Sequence, residues 1–151
     1  MRALMRRFPA GVAVVTVDAD GERLGLTVGT LVPLSLDPPL VGVSISRDAA
    51  LHELLRRAGG FAVSLLPAGQ EATAQHFARG VPPIAHWHGI AHREGASGAP
   101  LLEGALGWLE CRVHAAHETG DHTFFVGEVL ACELGAAGPP LLYLDRRYRD
   151  L

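Results

Sequence analysis

The sequence predicts a mainly β fold, an antiparallel barrel of six or seven strands with two or three short helices. Three observations predict it. Short β-branched and apolar runs recur along the chain, 18 glycines and 10 prolines punctuate them throughout, and only one helical pattern falls between two apolar strands. A doubly wound sheet would alternate strand and helix regularly, whereas strands that follow one another through tight turns close into a barrel. The 151 residues, 48% hydrophobic and 19% charged, suit one globular domain over 1–151 with a buried core and no linker or repeat.

Each element has its own reason. Residues 12–17, Val-Ala-Val-Val-Thr-Val, form a strand, and Asp18-Ala19-Asp20-Gly21 turns the chain into a returning strand over 24–32. Asp37-Pro38-Pro39 is a loop or strand entry, because two prolines cannot donate to a ladder. Residues 40–45 then read as a buried strand. Asp48 is the expected N-cap of a helix with Leu51, Leu54 and Leu55 on one face and Gly59-Gly60 as its stop. A strand over 61–66 and a second helix over 70–77 follow. The stretch 79–100 loses all periodicity and reads as a long functional or interface loop. Strands over 105–115 and 123–134, then Leu141-Leu142-Tyr143, complete the barrel.

Composition excludes several classes. A net charge of −3 without a Lys or Arg run argues against nucleic-acid binding. No segment approaches the ~18–20 apolar residues of a membrane span, and the apolar start over 8–17 is broken by Pro9 and Gly11, unlike a signal peptide. Cys111 and Cys132 lack zinc-site spacing and read as buried free thiols of a soluble cytoplasmic protein. His86, His88 and His92 lie close together but without a carboxylate or thiolate beside them, so a polar loop is expected there rather than a metal. Neither a Gly-x-Gly-x-x-Gly run nor a P-loop is present, and no Ser or Cys nucleophile has an evident base nearby.

Nearly the whole chain resembles the flavin reductase-like proteins with an FMN-binding split barrel, which include reductase components of two-component flavin monooxygenases. The resemblance rests on Phe8-Pro9-Ala10-Gly11-Val12, Gly25-Leu26-Thr27, Ser35-Leu36-Asp37-Pro38-Pro39-Leu40, Gly60-Phe61-Ala62-Val63-Ser64, Gln70 with Phe77-Ala78, Gly98-Ala99-Pro100-Leu101-Leu102, Leu109-Glu110-Cys111-Arg112-Val113 and Gly120-Asp121-His122-Thr123-Phe124-Phe125-Val126-Gly127-Glu128, in that order. It implies a Greek-key split barrel, a homodimer with flavin near the subunit boundary, FMN or FAD reduced by NADH or NADPH, and a separate monooxygenase as recipient.

Site residues follow from the same likeness. A flavin ring needs hydrogen-bond donors that allow close approach, and Thr27, Val28, Gly29 and Thr30, with Ser35, occupy the ring-binding stretch. Ser46 and Arg47, leading into the first helix, match the phosphate side, where a helix N-terminus also favours an anion; a solvated Arg47 is the plainer alternative. Phe77, Ala78 and Arg79 touch the ribityl-phosphate or an adenylate, unless Phe77 is core. His122 lies beside the nicotinamide, and Tyr143, Tyr148, Arg146 and Arg147 either line that side or form a surface tail. The chain departs from the family at Gly29-Thr30-Leu31, where Asn, Ser and Phe are common, at Pro33, where Ser is common, and at Asp48-Ala49, where Ser or Thr is usual. Two other functions fit the residues less well: a non-enzymatic FMN electron carrier fed by a protein partner, and a ligand-binding barrel without redox use.

Overall fold

The computed structural model describes all residues, 1–151. One seven-stranded antiparallel sheet dominates. Its strands are β2 (Ala13–Ala19), β3 (Glu22–Val28), β4 (Val32–Leu36), β5 (Pro39–Ser46), β6 (Gly60–Leu65), β9 (Gly107–Thr119) and β10 (His122–Leu134), ordered β3-β2-β6-β9-β10-β5-β4. The two edge strands are therefore consecutive in sequence, and the sheet curls until its ends meet at residues 29–31. Around it lie α1 (Arg2–Met5), α2 (Ala50–Ala58), α3 (Glu71–Ala78), a three-stranded sheet of β1 (Ala10–Gly11), β11 (Leu141–Leu144) and β12 (Arg147–Asp150), and a small ribbon of β7 (His92–Glu94) and β8 (Pro100–Leu102). None of the helices is long and apolar enough to cross a membrane.

The unbroken apolar run of β2 has a simple cause. Ala13, Val15 and Val17 point into the barrel, where they meet Val43, Ile45, Phe61, Val63 and Phe125. On the other face Val12 and Val14 pack against Leu66, Ala74, Phe77, Leu102 and Leu141. With both faces covered, alternation of polar and apolar residues has no use. α2 lays Leu51, Leu54 and Leu55 onto the barrel core and stops at Gly59, whose φ of 69° is left-handed. Beside it, buried His52 and Thr123 are joined at 2.7 Å.

Glycines make the walls thin where phenylalanine rings lie flat on strands. A Cβ added to Gly25 would approach the Phe77 ring at 2.7 Å, and one on Gly127 would meet the Phe61 ring at 2.6 Å.

Four sequence expectations are corrected. The strand expected over 24–32 ends at Val28, and Val32 already belongs to the opposite sheet edge. Asp48 does not cap α2: the cap position is Ala49, without a side-chain bond. The stretch 79–100, expected as one long functional or interface loop, holds a 3-10 turn at Pro83–Ala85 and β7. Its ring-bearing centre docks on the edge of β3, where His86 Nε2 accepts the Gly25 N–H at 2.8 Å and Trp87 Nε1–H donates to the Arg23 carbonyl at 2.9 Å. An exposed strand edge is thereby covered. Finally, the C-terminal tail is a strand, β12, paired with β11.

His86 is 5% exposed, and burial together with neighbouring His76 holds its pKa below the ordinary value. The unfolded chain takes up that proton near pH ~6.5 while the folded chain does not. Stability is thus full above that pH and falls as pH drops through the window beneath it. Denaturant titrations at pH 7.5 and 5.5 should show this loss, with a dependence smaller by about one proton in His86→Gln. Gly25→Ala should cost about 1–3 kcal/mol by overpacking against Phe77, read as a lower melting temperature.

Candidate functional site

The meeting point of the sheet edges is the centre of the site. Between β3 and β4 the ladder is interrupted over Gly29, Thr30 and Leu31. Thr30 replaces it with its side chain: the hydroxyl accepts the Ser44 N–H at 3.1 Å and donates to the Ser44 carbonyl at 3.2 Å. The main-chain N–H groups of residues 29, 30 and 31 meet no acceptor within the protein. Gly29 and Thr30 are exposed and Leu31 is half-buried. Gly29 also sits close under β1, for a Cβ there would lie 3.1 Å from the Ala10 Cβ. A larger side chain at this position would press on Ala10, which would have to give by a few tenths of an ångström.

Next to this corner is a hollow of about 210 Å³ bounded by Val12, Thr27, Val28, Gly29, Ala78, Tyr143 and Tyr148. Its chemistry is apolar walls with main-chain donors at the rim, suited to a flat heteroaromatic ring. The Thr27 hydroxyl donates to the Ala74 carbonyl at 2.7 Å and so ties α3 to β3. Tyr143 and Tyr148 form one aromatic wall, their ring centres 5.2 Å apart. Burial raises the Tyr148 phenol above its usual pKa, which keeps it neutral.

Register brings the other residues to the same end of the barrel. His122 on β10 is the cross-strand partner of Ser46 on β5, and the Arg47 N–H donates to the Asp121 carbonyl at 3.0 Å. His122 Nδ1 lies 2.7 Å from the Asp121 carboxylate, whose pKa is lowered by this bond. Asp121 therefore does more than shape the hairpin turn; it orients the imidazole and leaves Nε2 free. Arg47 reaches toward Glu118 at 3.8 Å, a loose pair with both side chains exposed.

A larger hollow of about 410 Å³ lies between the start of α2 and the end of α3, bordered by Leu24, Leu26, Asp48, Ala49, Ala78, Arg79 and His86 among others. The uncapped N–H groups of Ala50 and Leu51 lie at its rim, a setting that suits phosphate oxygens. Phe77 borders this hollow but is 1% exposed and packs in the core. Ser35 is at the bulge of β4 opposite Leu40 and borders neither hollow. His86, His88 and His92 do not converge, because His86 Nε2 holds the Gly25 amide and His92 Nδ1 donates to the Ile90 carbonyl at 2.7 Å. Sequence reading missed Ser44 as the partner of Thr30, since nothing local announces a contact across a curled sheet.

A curled antiparallel barrel, open at one corner with free amides, small hydroxyls and an oriented imidazole, defines a split-barrel flavin-binding protein. The comparisons agree, and the chain belongs to the flavin reductase like domain family, whose pattern matches residues 5–151. It is 46% identical over 147 residues to the reductase component of 4-hydroxyphenylacetate 3-monooxygenase from Thermus thermophilus, covering 97% of this chain and 92% of that one. Among solved structures it is similar to the flavin reductase component of a bacterial two-component tryptophan halogenase, with TM-score 0.94, 37% identity and coverage of 99% and 95%. It is also similar to the NADH:FAD oxidoreductase of Streptomyces globisporus in complex with NAD and FAD fragments, with TM-score 0.93, 40% identity and coverage of 98% and 88%.

Thr30→Val should remove both bonds to Ser44 and cost about 1–2 kcal/mol of stability, with weaker flavin binding in a fluorescence titration. Thr30→Ser keeps the hydroxyl and should restore both.

Proposed function

We propose that the protein is an NAD(P)H:flavin oxidoreductase that reduces FMN or FAD and supplies it to a separate flavin-dependent monooxygenase. The observation that carries this reading is the open corner: unpartnered amides at residues 29–31 beside an oriented His122. Family membership supports it, as do the names of the relatives. When bound, a flavin accepts hydride at N5 from C4 of a dihydronicotinamide, and a proton from solvent completes the reduction.

The chain's own groups have positioning roles. Residues 29–31 offer donors to the pyrimidine edge of the ring, and Tyr143 and Tyr148 wall its apolar side. The N–H groups of Ala50 and Leu51, with Ser46, Arg47 and Arg79, suit the phosphate end. Arg47 leaves Glu118 at little cost, because an exposed pair at 3.8 Å contributes little. His122 Nε2 faces the nicotinamide carboxamide, and Asp121 keeps the ring aligned. No acid or base is needed for hydride transfer, so orientation is the main contribution.

The ring-binding donors are main-chain groups at an exposed surface, which fits a flavin that exchanges as a substrate. A second copy of the chain fits the β4 edge, where Val32, Leu34 and Leu36 are 38%, 47% and 95% exposed. Both cysteines are free, which suits a reducing cytoplasm; Cys111 is buried with its thiol pushed up to about 12, but Cys132, expected buried, lies exposed near the end of β10.

Anaerobic stopped-flow with FMN or FAD and each reduced nicotinamide tests the activity through bleaching of the flavin band. His122→Ala should raise the KM for the nicotinamide about tenfold, the worth of one hydrogen bond, with kcat within about twofold. An unchanged KM removes His122 from the role. A stably yellow protein that NADH does not bleach identifies an electron carrier instead.

A further inference from the structure

The buried pair of His52 and Thr123 borders neither hollow, yet it lies directly behind His122. Thr123 is on the inner face of β10, opposite Ile45 on β5 and two residues before Phe125, and all three are buried. That face is otherwise apolar, built of Val43, Ile45 and Phe125, so a valine would be the ordinary residue there. A buried hydroxyl needs a partner. His52 on α2 supplies it at 2.7 Å, with its ring edge-on to Phe125 and the ring centres 5.5 Å apart. Neither the hydroxyl nor a nitrogen of this ring is left buried without a partner. No other side-chain hydrogen bond joins α2 to β10, since the remaining one from α2 runs from Arg57 to Glu22.

Its place in the chain gives this bond a consequence at the site. Successive strand residues point to opposite faces, so a Thr123 held inward directs His122 outward. His122 is the first residue of β10, with little strand before it to fix its direction. Apolar contact is non-directional and lets a strand end roll, whereas a hydrogen bond holds distance and angle. A second tie lies on the other side of His122, where the Arg47 N–H donates to the Asp121 carbonyl at 3.0 Å. Residues 47 and 52 thus hold residues 121 and 123. Between them only the imidazole of His122 remains to be set, and the Asp121 carboxylate sets it at 2.7 Å.

We propose that His52 is a positioning residue for the reductase reaction: through Thr123 it sets the direction from which the His122 imidazole meets the nicotinamide. It lies buried between α2 and the inner face of β10 and acts only through that strand. The polar pair is kept in an apolar place for direction rather than for stability, because an apolar pair of the same shape would hold α2 to the barrel as firmly. The inference rests on the proposed function for what His122 meets, but not for the link from His52 to His122.

Steady-state assays of the full chain read the link. Thr123→Val keeps the outline of the side chain and removes the bond, and should raise KM for the nicotinamide about three- to fivefold, with kcat and flavin KM within about twofold. Thr123→Ser keeps the hydroxyl and should keep the unsubstituted KM. His52→Phe together with Thr123→Val leaves no buried polar group unpaired. Its melting temperature should return toward that of the unsubstituted chain while KM stays raised, whereas a merely structural pair would restore both. In a His122→Ala background, Thr123→Val should raise KM no further. With no flavin or nicotinamide present, the His122 ring-proton resonance, assigned by its loss in His122→Ala, should shift in both Thr123→Val and His52→Phe and stay in place in Thr123→Ser. An unmoved resonance, an unchanged KM in Thr123→Val, or a KM that recovers with the melting temperature overturns the proposal. A shifted resonance in a chain that transfers no hydride would instead refute the reductase reading and leave the link between His52 and His122 standing.

Discussion

Two hydrogen bonds between Thr30 and Ser44 hold the place where a curled sheet runs out of ladder. A flat sheet would leave β3 and β4 as distant edges. Because the sheet curls, its first and last strands come together at the three-residue connection 29–31, which the Thr30 hydroxyl ties to Ser44 on β5. The consequence is chemical as well as architectural. A fully closed ladder would consume the amides of residues 29–31, whereas a side-chain join spares them. The binding corner is thus made of groups the barrel had no use for.

The same economy governs the edges. β3 carries the corner at its end and would otherwise expose Gly25 N–H and the Arg23 carbonyl along its free side. His86 and Trp87 take those two groups, and aromatic contacts with Phe77 lock the segment to α3. Phe77 in turn lies on Gly25. The cover therefore stiffens the strand that presents the corner, which links packing several residues away to the position of the site.

Much of this was legible in the sequence, and what was not has a physical reason. β2, β5, β6 and α2 were readable because β-branched runs and the Leu51, Leu54, Leu55 spacing are local signals. The break at residue 29 was invisible in an apolar stretch that continues through Val32, since the cause is the curl of the whole sheet. β12 reads as a polar tail, Arg-Tyr-Arg-Asp, although Tyr148 alone faces inward and the turn before it lacks glycine. His122 was identified by resemblance, but that Asp121 orients its ring and Ser46 lies opposite depends on strand register. Phe77 illustrates the limit of residue type: a phenylalanine beside a site and one in the core look alike until the neighbouring glycine is seen to make room for its ring.

The distribution of charge also sets one end of the barrel apart. With 16 acidic and 13 basic residues the chain repels anions on average. Elsewhere Arg23, Arg57, Arg93 and Arg112 are neutralised by nearby carboxylates, while Arg7, Arg56, Arg147 and Arg149 are not. At the site end Arg79 is unpaired, Arg47 has only a loose partner, and Arg2, Arg6 and Arg146 have none. In the proposed function, shape and main-chain donors suit the flat ring, and the loosely paired Arg47 and the unpaired Arg79 suit its phosphate.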